Sequence, residues 1–504
     1  MKKVILIILC SIGFSHVGNP SIIYEGNAGE YPIRVVIRPP GVVPGLALIY
    51  VQSLDGKIST VKTQPMKWDA GVDGSPPQDI AKQMFNQPDK FNSELWLMDF
   101  GSYSINIEVE GDNSIANIVV PVMSIATKRS EMNFIMKSIL IFLMLLLLFG
   151  FVTIIGVSVE ESTLSPGKTP DKNKKREANL AMIITFFICI SIIIIGKKWW
   201  EGIADLYYSN LFKPMETTTQ IKSFEQYQIL NLEITDNMWK SGVYPPIVPD
   251  HGKLIHTYLI KEDLSAFSHV HPILNKQSSD KFDLTLPGNL PMGKYFIYSD
   301  VTHETGYNQT LLDTINISNV ETPLIDYLPK VDPDNSIKLT PFNSQFLHSK
   351  FEFDDGSHLI WKEYQTQIQM GFIDMNFTLL DENNKPLILE PYIEMGGHGI
   401  IYKKDGTQFI HIHPTGNFSM ASQEVLFELK EGIEVNPQDL FCTFGYRSED
   451  GKLVENLVKD GKVTFPPFEF LEAGEYRIWI QVKNDGNVKT GIFDFIVIDP
   501  NAKI

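Results

Sequence analysis

The sequence predicts a mainly β protein: three immunoglobulin-like β-sandwich domains, interrupted by a two-helix transmembrane hairpin. Three observations carry this expectation. A strand motif, G-x-Y-x-I-x-x-x-V, occurs three times; two apolar runs are long enough to cross a bilayer; and long helices are not evident elsewhere. A chain of 504 residues is also too long for one core and divides, at ordinary domain sizes, into about three units.

The elements follow in chain order. Residues 1–15, "MKKVILIILCSIGFS", join two lysines to an apolar run too short to span and a small-residue exit, the pattern of a secretory signal peptide. Residues 16–130 are expected to form a first, periplasmic sandwich. Within it, "DIAKQMFNQPDKF" at 79–91 reads as one or two short helical turns, and "YPIRVVIRPPGVVPG" at 31–45 as an edge-type strand between proline breaks, suited to docking. "SILIFLMLLLLFGFVTIIGV" at 138–157 and "LAMIITFFICISIIIIG" at 180–196 are the transmembrane candidates. The loop between them, 158–179, concentrates Lys168, Lys172, Lys174, Lys175 and Arg176, which assigns it to the cytoplasm. The large domains then face the periplasm from a bacterial inner (plasma) membrane, with the lipid bilayer as first partner. A second sandwich is expected at 215–320, a proline-broken linker at 321–335 and a third sandwich at 336–504.

The repeated motif begins at Gly101, Gly293 and Gly474, and each copy runs into a turn and a further apolar strand. Tyr103, Tyr295 and Tyr476 sit two residues after those glycines. There a tyrosine hydroxyl can tie back to the preceding loop, as at the corner of immunoglobulin-like sandwiches.

The net charge of −17 is unevenly spread: from Glu201 onward, 43 acidic against 24 basic residues give −19, leaving +2 for the rest. Such a surface excludes nucleic acid as an expected partner. Of three cysteines, Cys10 lies in the signal, Cys189 in a membrane run and Cys442 alone in an exported domain, so neither a disulfide framework nor a cysteine zinc site can be built.

The chemistry concentrates in histidine. "HTYLIKEDLSAFSHVHP" from His256 and "HGIIYKKDGTQFIHIHP" from His398 both satisfy H-x12-H-x-H-P. Asp405-Gly406 reads as a two-residue type I′ hairpin loop; Lys404 then pairs Thr407, His398 lies opposite His413, and His411 faces Ile400. The three imidazoles share one face, with cross-strand Cβ atoms roughly 5 Å apart and the diagonal about 7 Å, a span that one ion can close. The first copy, counted the same way, places His256 opposite His271 with His269 diagonal. Neutral imidazoles favour copper or zinc over magnesium or calcium. Candidates for a further ligand are His251 (beside Asp250) and His303 in the first cluster, and Met395 (beside Glu394) and Met420 in the second; a thioether would favour reduced copper. His16, the amino terminus if the signal is cut after Ser15, could chelate copper through its amine and ring.

Blocks such as "DHGKLIHTYLI", "DLSAFSHVHP", "LEPYIEMGGHG", "FIHIHPTGNFSMAS", "GEYRIWIQVK" and "GEYPIRVVIRPPGVVPGLA" resemble those of bacterial membrane-anchored proteins with YtkA-like or CopC-like immunoglobulin-type domains. The resemblance implies periplasmic copper handling, a metal-delivery or respiratory oxidase assembly partner, and ligand roles for His256, His269, His271, His398, His411 and His413. One departure is that CopC-type sites use an N-terminal histidine of the binding domain, whereas His16 belongs to the domain without a cluster.

The leading expectation is a non-enzymatic, membrane-anchored protein that binds copper, or less favourably zinc, for storage, delivery or sensing. The alternative is a β-sandwich scaffold whose histidines pack or pair at an interface. A third reading, a metalloenzyme with Glu394 as base, has no nucleophile motif, phosphate loop or cofactor fingerprint beside it.

Overall fold

A computed structural model describes residues 21–68, 70–112, 114–165, 167–275, 278–318, 322–325, 327–423 and 458–501. The expected signal peptide, His16 and Cys442 lie outside the described residues. The chain is mainly β, with antiparallel sheets paired into three sandwiches and two long apolar helices. It divides into two compact units, one holding the sandwiches and one spanning Ile125–Phe212.

In the first sandwich, a sheet ordered Ile22–Ala28, Tyr31–Arg38, Gly45–Ser53, Gln87–Leu97, Lys82–Met84 shares one core with a sheet ordered Asp79–Ile80, Ile58–Lys67, Gly101–Gly111, Ile115–Ser124. The segment 79–91 is therefore strand and turn, not helix. Asn86 takes a left-handed φ of 58° between Lys82–Met84 and Gln87–Leu97, a conformation asparagine accepts readily and a helix excludes.

The second sandwich sets Thr217–Phe224, Tyr227–Ile234, Lys281–Thr285, Ile273–Leu274 against a six-stranded sheet. That sheet runs Ile247–Val248, Gly293–His303, His256–Lys261, Ala266–Val270, Ser336–Leu339, with Asn308–Ile317 also paired to Gly293–His303. Ser336–Leu339, expected to open the third sandwich, instead extends the second, from Ala266↔Leu339 to His269↔Ser336. The third sandwich pairs Lys350–Glu352, His358–Trp361, Gly371–Leu380, Lys462–Phe470 with Gln367–Gln369, Asn487–Ile498, Gly474–Asn484, His398–Lys403, Phe409–Ile412.

The three tyrosines do tie back to the loop, each to the residue four positions upstream. Tyr295 donates to the Pro291 carbonyl at 2.7 Å and Tyr476 to the Glu472 carbonyl at 3.0 Å, while the Tyr103 hydroxyl accepts from the Asp99 amide at 3.2 Å. Gly101, Gly293 and Gly474 all have positive φ, at 122°, 134° and 153°, which is why glycine opens each motif.

Alternation along the strands positions the histidines. Leu259, Ala266, Val270 and Ile297 point into the second sandwich's own core, whereas Tyr258, Ile260, Phe267 and Tyr298 join the core of the third. Phe267 stacks on Trp479 with ring centroids 4.6 Å apart, and Tyr298 on Phe409 at 4.4 Å. Two sheets thus bury both of their faces, and His256, His269, His398 and His411 fall on the shared layer by the same period of two.

The first sandwich docks on the third through its N-terminal strand. Glu25 donates to the Thr415 carbonyl at 2.7 Å, Asn417 accepts from the Ile23 amide at 2.7 Å, and Tyr24 packs against Phe418. Arg38 reaches both carboxylate oxygens of Glu469 at 2.7 Å. Gly416 sits so close that a Cβ there would lie 1.9 Å from the Ile23 carbonyl oxygen.

In the second unit, helices Phe134–Glu161 and Lys172–Ser209 contain the two expected spans and extend past them. The second helix is capped by Asp171, whose carboxylate accepts from the Lys174 amide at 2.8 Å. Lys172, Lys174, Lys175 and Arg176 therefore lie in its first turns rather than in a loop. Buried Gly156 lets the helices approach: a Cβ there would meet Met182 Sδ at 2.6 Å.

Candidate metal centre

Both hairpins keep the register counted from sequence. Ile400 pairs His411 and Gly399 pairs Ile412, which sets His398 against His413; Tyr258 pairs His269 and Thr257 pairs Val270, which sets His256 against His271. The turn itself differs from expectation. Of Asp405 and Gly406 only Gly406 has positive φ, at 78°, and its amide donates to the Lys403 carbonyl. The Asp405 carboxylate holds the Thr407 amide at 2.9 Å, so the hairpin closes one residue earlier than a type I′ loop would, without changing register. Asp263 does the same for Ser265 in the first copy, with Leu264 forced to a φ of 60° where Gly406 stands in the second.

Each trio offers three ring nitrogens within 4.8 Å of one another. In the first, backbone and side-chain partners orient two of the rings. His256 Nε2 lies 3.0 Å from the Asp250 carbonyl, which can only accept, so its proton is on Nε2 and Nδ1 carries a lone pair. His269 Nδ1 lies 2.8 Å from Gln481 Oε1, while the Gln481 amide donates to Ser336 Oγ at 2.7 Å. His256 Nδ1 and His269 Nε2 face each other at 3.3 Å, and His271 Nε2 is 3.2 Å from His269 Nε2. Imidazoles bound tetrahedrally at about 2.0–2.1 Å set their ligand atoms about 3.3 Å apart, so the residues present fit a bound ion.

The second trio is built alike. Ring centroids lie 4.3 Å (His411–His413), 4.8 Å (His398–His413) and 5.4 Å (His398–His411) apart. Both nitrogens of His398 and of His413, and Nε2 of His411, are buried with no hydrogen-bond partner. Asp300 reaches His411 Nδ1 from the opposite sandwich at 3.3 Å, as Gln481 reaches His269. Asp300 pairs His256 in register, and Gln481 pairs His398, so each sandwich orients the central histidine of the other.

Burial pushes the His251 and His256 imidazoles down to about 4 and holds those of His269, His271, His398 and His413 well below their usual range, with neighbouring imidazoles adding to the effect. Neutral rings with free lone pairs are the ligand form of histidine.

The further candidates separate. His251 does not extend the first trio as its position in sequence suggested; its ring lies 4.5 Å from His413 of the second, against 6.3 Å from His256. Its φ is 52°, and a two-residue hairpin with Gly252 carries it across. His303 stands apart with both nitrogens satisfied, Nδ1 by the Pro245 carbonyl at 2.6 Å and Nε2 by Gln309 at 3.0 Å, which gives it a structural role. Met395 and Met420 pack into the apolar core shared with the first sandwich, the Met420 sulfur accepting from the Thr415 hydroxyl, so core packing accounts for both. Asp300 and Gln481 were not singled out from the sequence; what could have pointed to them is their place in the strand facing each first histidine.

Residues 355–498 match a family model described as a domain of unknown function (DUF8832). No curated protein matches the chain. Among solved structures, a putative membrane anchored protein from Corynebacterium diphtheriae is similar at 11% identity, covering 96% of this chain and 97% of its own, with a TM-score of 0.14. The tetra-tandem repeat of a large adhesion protein (8%, 90% and 71%, TM-score 0.16) and the FN1-FN3 domains of chicken CNTN1 (8%, 92% and 97%, TM-score 0.16) are also similar.

Proposed function

We propose that this chain is a membrane-anchored, periplasmic metal-binding protein that takes copper, or less favourably zinc, for storage, delivery or sensing. The observation that carries the reading is the convergence of buried imidazole nitrogens: His256 Nδ1 and His271 Nε2 lie 3.3 and 3.2 Å from His269 Nε2, the spacing of ligand atoms around one ion, and both ring nitrogens of His398 and of His413 are buried without a hydrogen-bond partner. Buried polar groups left unsatisfied are costly, and a bound cation would satisfy them. Three uncharged nitrogen donors suit copper and zinc; hard cations would call for oxygen. Holding the ion between two sandwiches, out of reach of solvent, suits retention rather than turnover.

The two apolar helices would supply the anchor, and the basic cluster at the start of the second supports a cytoplasmic position for that end and a periplasmic one for the sandwiches. Full-length protein in detergent, titrated with copper(I) or zinc against a chelating competitor, tests the reading. Tight binding in the wild type and loss of one equivalent in His269→Ala is expected. A folded protein that leaves both metals with the competitor would overturn it.

A further inference from the structure

The two trios are not separate sites on separate domains. Between them, ring centroids lie 5.5 Å (His256–His411), 5.7 Å (His269–His398), 6.0 Å (His269–His411) and 6.4 Å (His256–His398) apart, scarcely more than the spacings inside each trio. These are direct ring neighbours, with no further layer of side chains between. All six rings fall on one layer because the sheets that carry them meet face to face.

His251 breaks the symmetry of that layer. It lies five residues before His256, as Ile393 lies five before His398, and both residues occupy two-residue hairpins with positive φ, at 52° and 48°. Where one copy carries isoleucine the other carries histidine. A non-glycine residue persists in this conformation where its surroundings hold it. His251 is 1% exposed, neither ring nitrogen has a hydrogen-bond partner, and its ring packs at 4.5 Å on His413 and 6.1 Å from His398.

We infer that seven histidines form one binuclear metal centre at the seam of the second and third sandwiches. It has a three-imidazole site (His256, His269, His271) and a four-imidazole site (His398, His411, His413 and, from the facing sandwich, His251). This rests on the metal-binding reading above and adds to it that the two ions sense each other and bind unequally. The four-imidazole site is closed in the manner of structural metal sites, whereas the three-imidazole site keeps a coordination position open. Because His251 crosses the seam, filling the second site also fastens the two sandwiches together.

The test uses the full-length chain in detergent, loaded with one and then two equivalents of copper(II) and followed by electron paramagnetic resonance. The expected result is two bound equivalents, with a signal at the second that is broadened or diminished relative to the sum of two isolated centres. His251→Asn, which keeps a side chain tolerant of left-handed φ, should weaken one equivalent at least tenfold and leave the other unchanged. Two equivalents with additive, uncoupled signals would overturn the binuclear centre while leaving metal binding intact, as would a single equivalent. Unchanged affinities in His251→Asn would remove His251 from the ligand set. No bound copper at all would overturn this inference and the metal reading together.

Discussion

If the imidazoles are ligands, removing one should stabilise the metal-free protein and destabilise the loaded one. His398 is the sharpest case: its side chain is fully buried and both ring nitrogens lack a partner. A buried polar group without a hydrogen bond costs about 1–3 kcal/mol, and His398 has a donor and an acceptor in that state. Leucine has a similar volume and no polar atom. Allowing for lost contacts to His411 and His413, His398→Leu should raise the stability of the chelator-treated protein by about 1–3 kcal/mol, or several degrees in the midpoint of the β transition. With metal the order reverses. A ligand present at roughly a thousand times its Kd adds about 4 kcal/mol to the wild type, and the variant loses the share due to the second site. Thermal melts of both proteins in chelator and in excess zinc, read by far-ultraviolet circular dichroism, give the four midpoints. Should His398→Leu melt below the wild type in chelator, with no shift by zinc in either protein, the ring would be an ordinary satisfied core residue and the reasoning would fail.

The remaining expectations follow from the same geometry. His251 and His256 titrate near 4 in the folded chain against about 6.5 when unfolded, so the unfolded state binds more protons between those values; the metal-free protein should lose stability as pH falls through that window, by about 1.4 kcal/mol per pH unit for each such ring, and stay level above it. Denaturation midpoints in chelator across that range check this, and a flat profile would contradict it. Asp300→Ala removes the carboxylate facing His411 Nδ1 and should weaken one equivalent of metal roughly 10–100-fold, read by competition against a chromophoric chelator. Gly416→Ala puts a methyl group into the Ile23 carbonyl at a φ of 125°; the amides of Ile23 and Glu25 should then exchange hydrogen faster, while those of Ile400 and Ile410 keep wild-type protection.

Much of the fold was legible because it rests on local rules. The G-x-Y motif marked three tyrosine corners, since a positive-φ glycine and a hydroxyl four residues from its backbone partner are both encoded within a few positions. Register was legible in both hairpins even though the turn type was not, because an Asp side chain can close the same count of residues in more than one way. The stretch at 79–91 misled because Asn86 sits in a helix-like run of polar and apolar residues and only its backbone reveals the turn. What the sequence does not encode locally is which faces meet. "HTYLIK" and "AFSHV" are buried on both faces, with Lys261 alone half-exposed, and burial of this kind needs a second covering sheet that the residues of the strand do not name. The crossing of His251 to the other trio, and of Asp300 and Gln481 to each other's histidines, depends on that long-range docking.

On this reading the histidines hold a metal ion through nitrogen alone. X-ray absorption at the metal edge of the loaded full-length protein tests it most directly. The expected spectrum shows a first shell of three to four nitrogens at about 2.0–2.1 Å with the outer-shell pattern of imidazole rings. A shell dominated by sulfur or by water oxygen, or a protein from which the metal is lost on simple desalting, would contradict it.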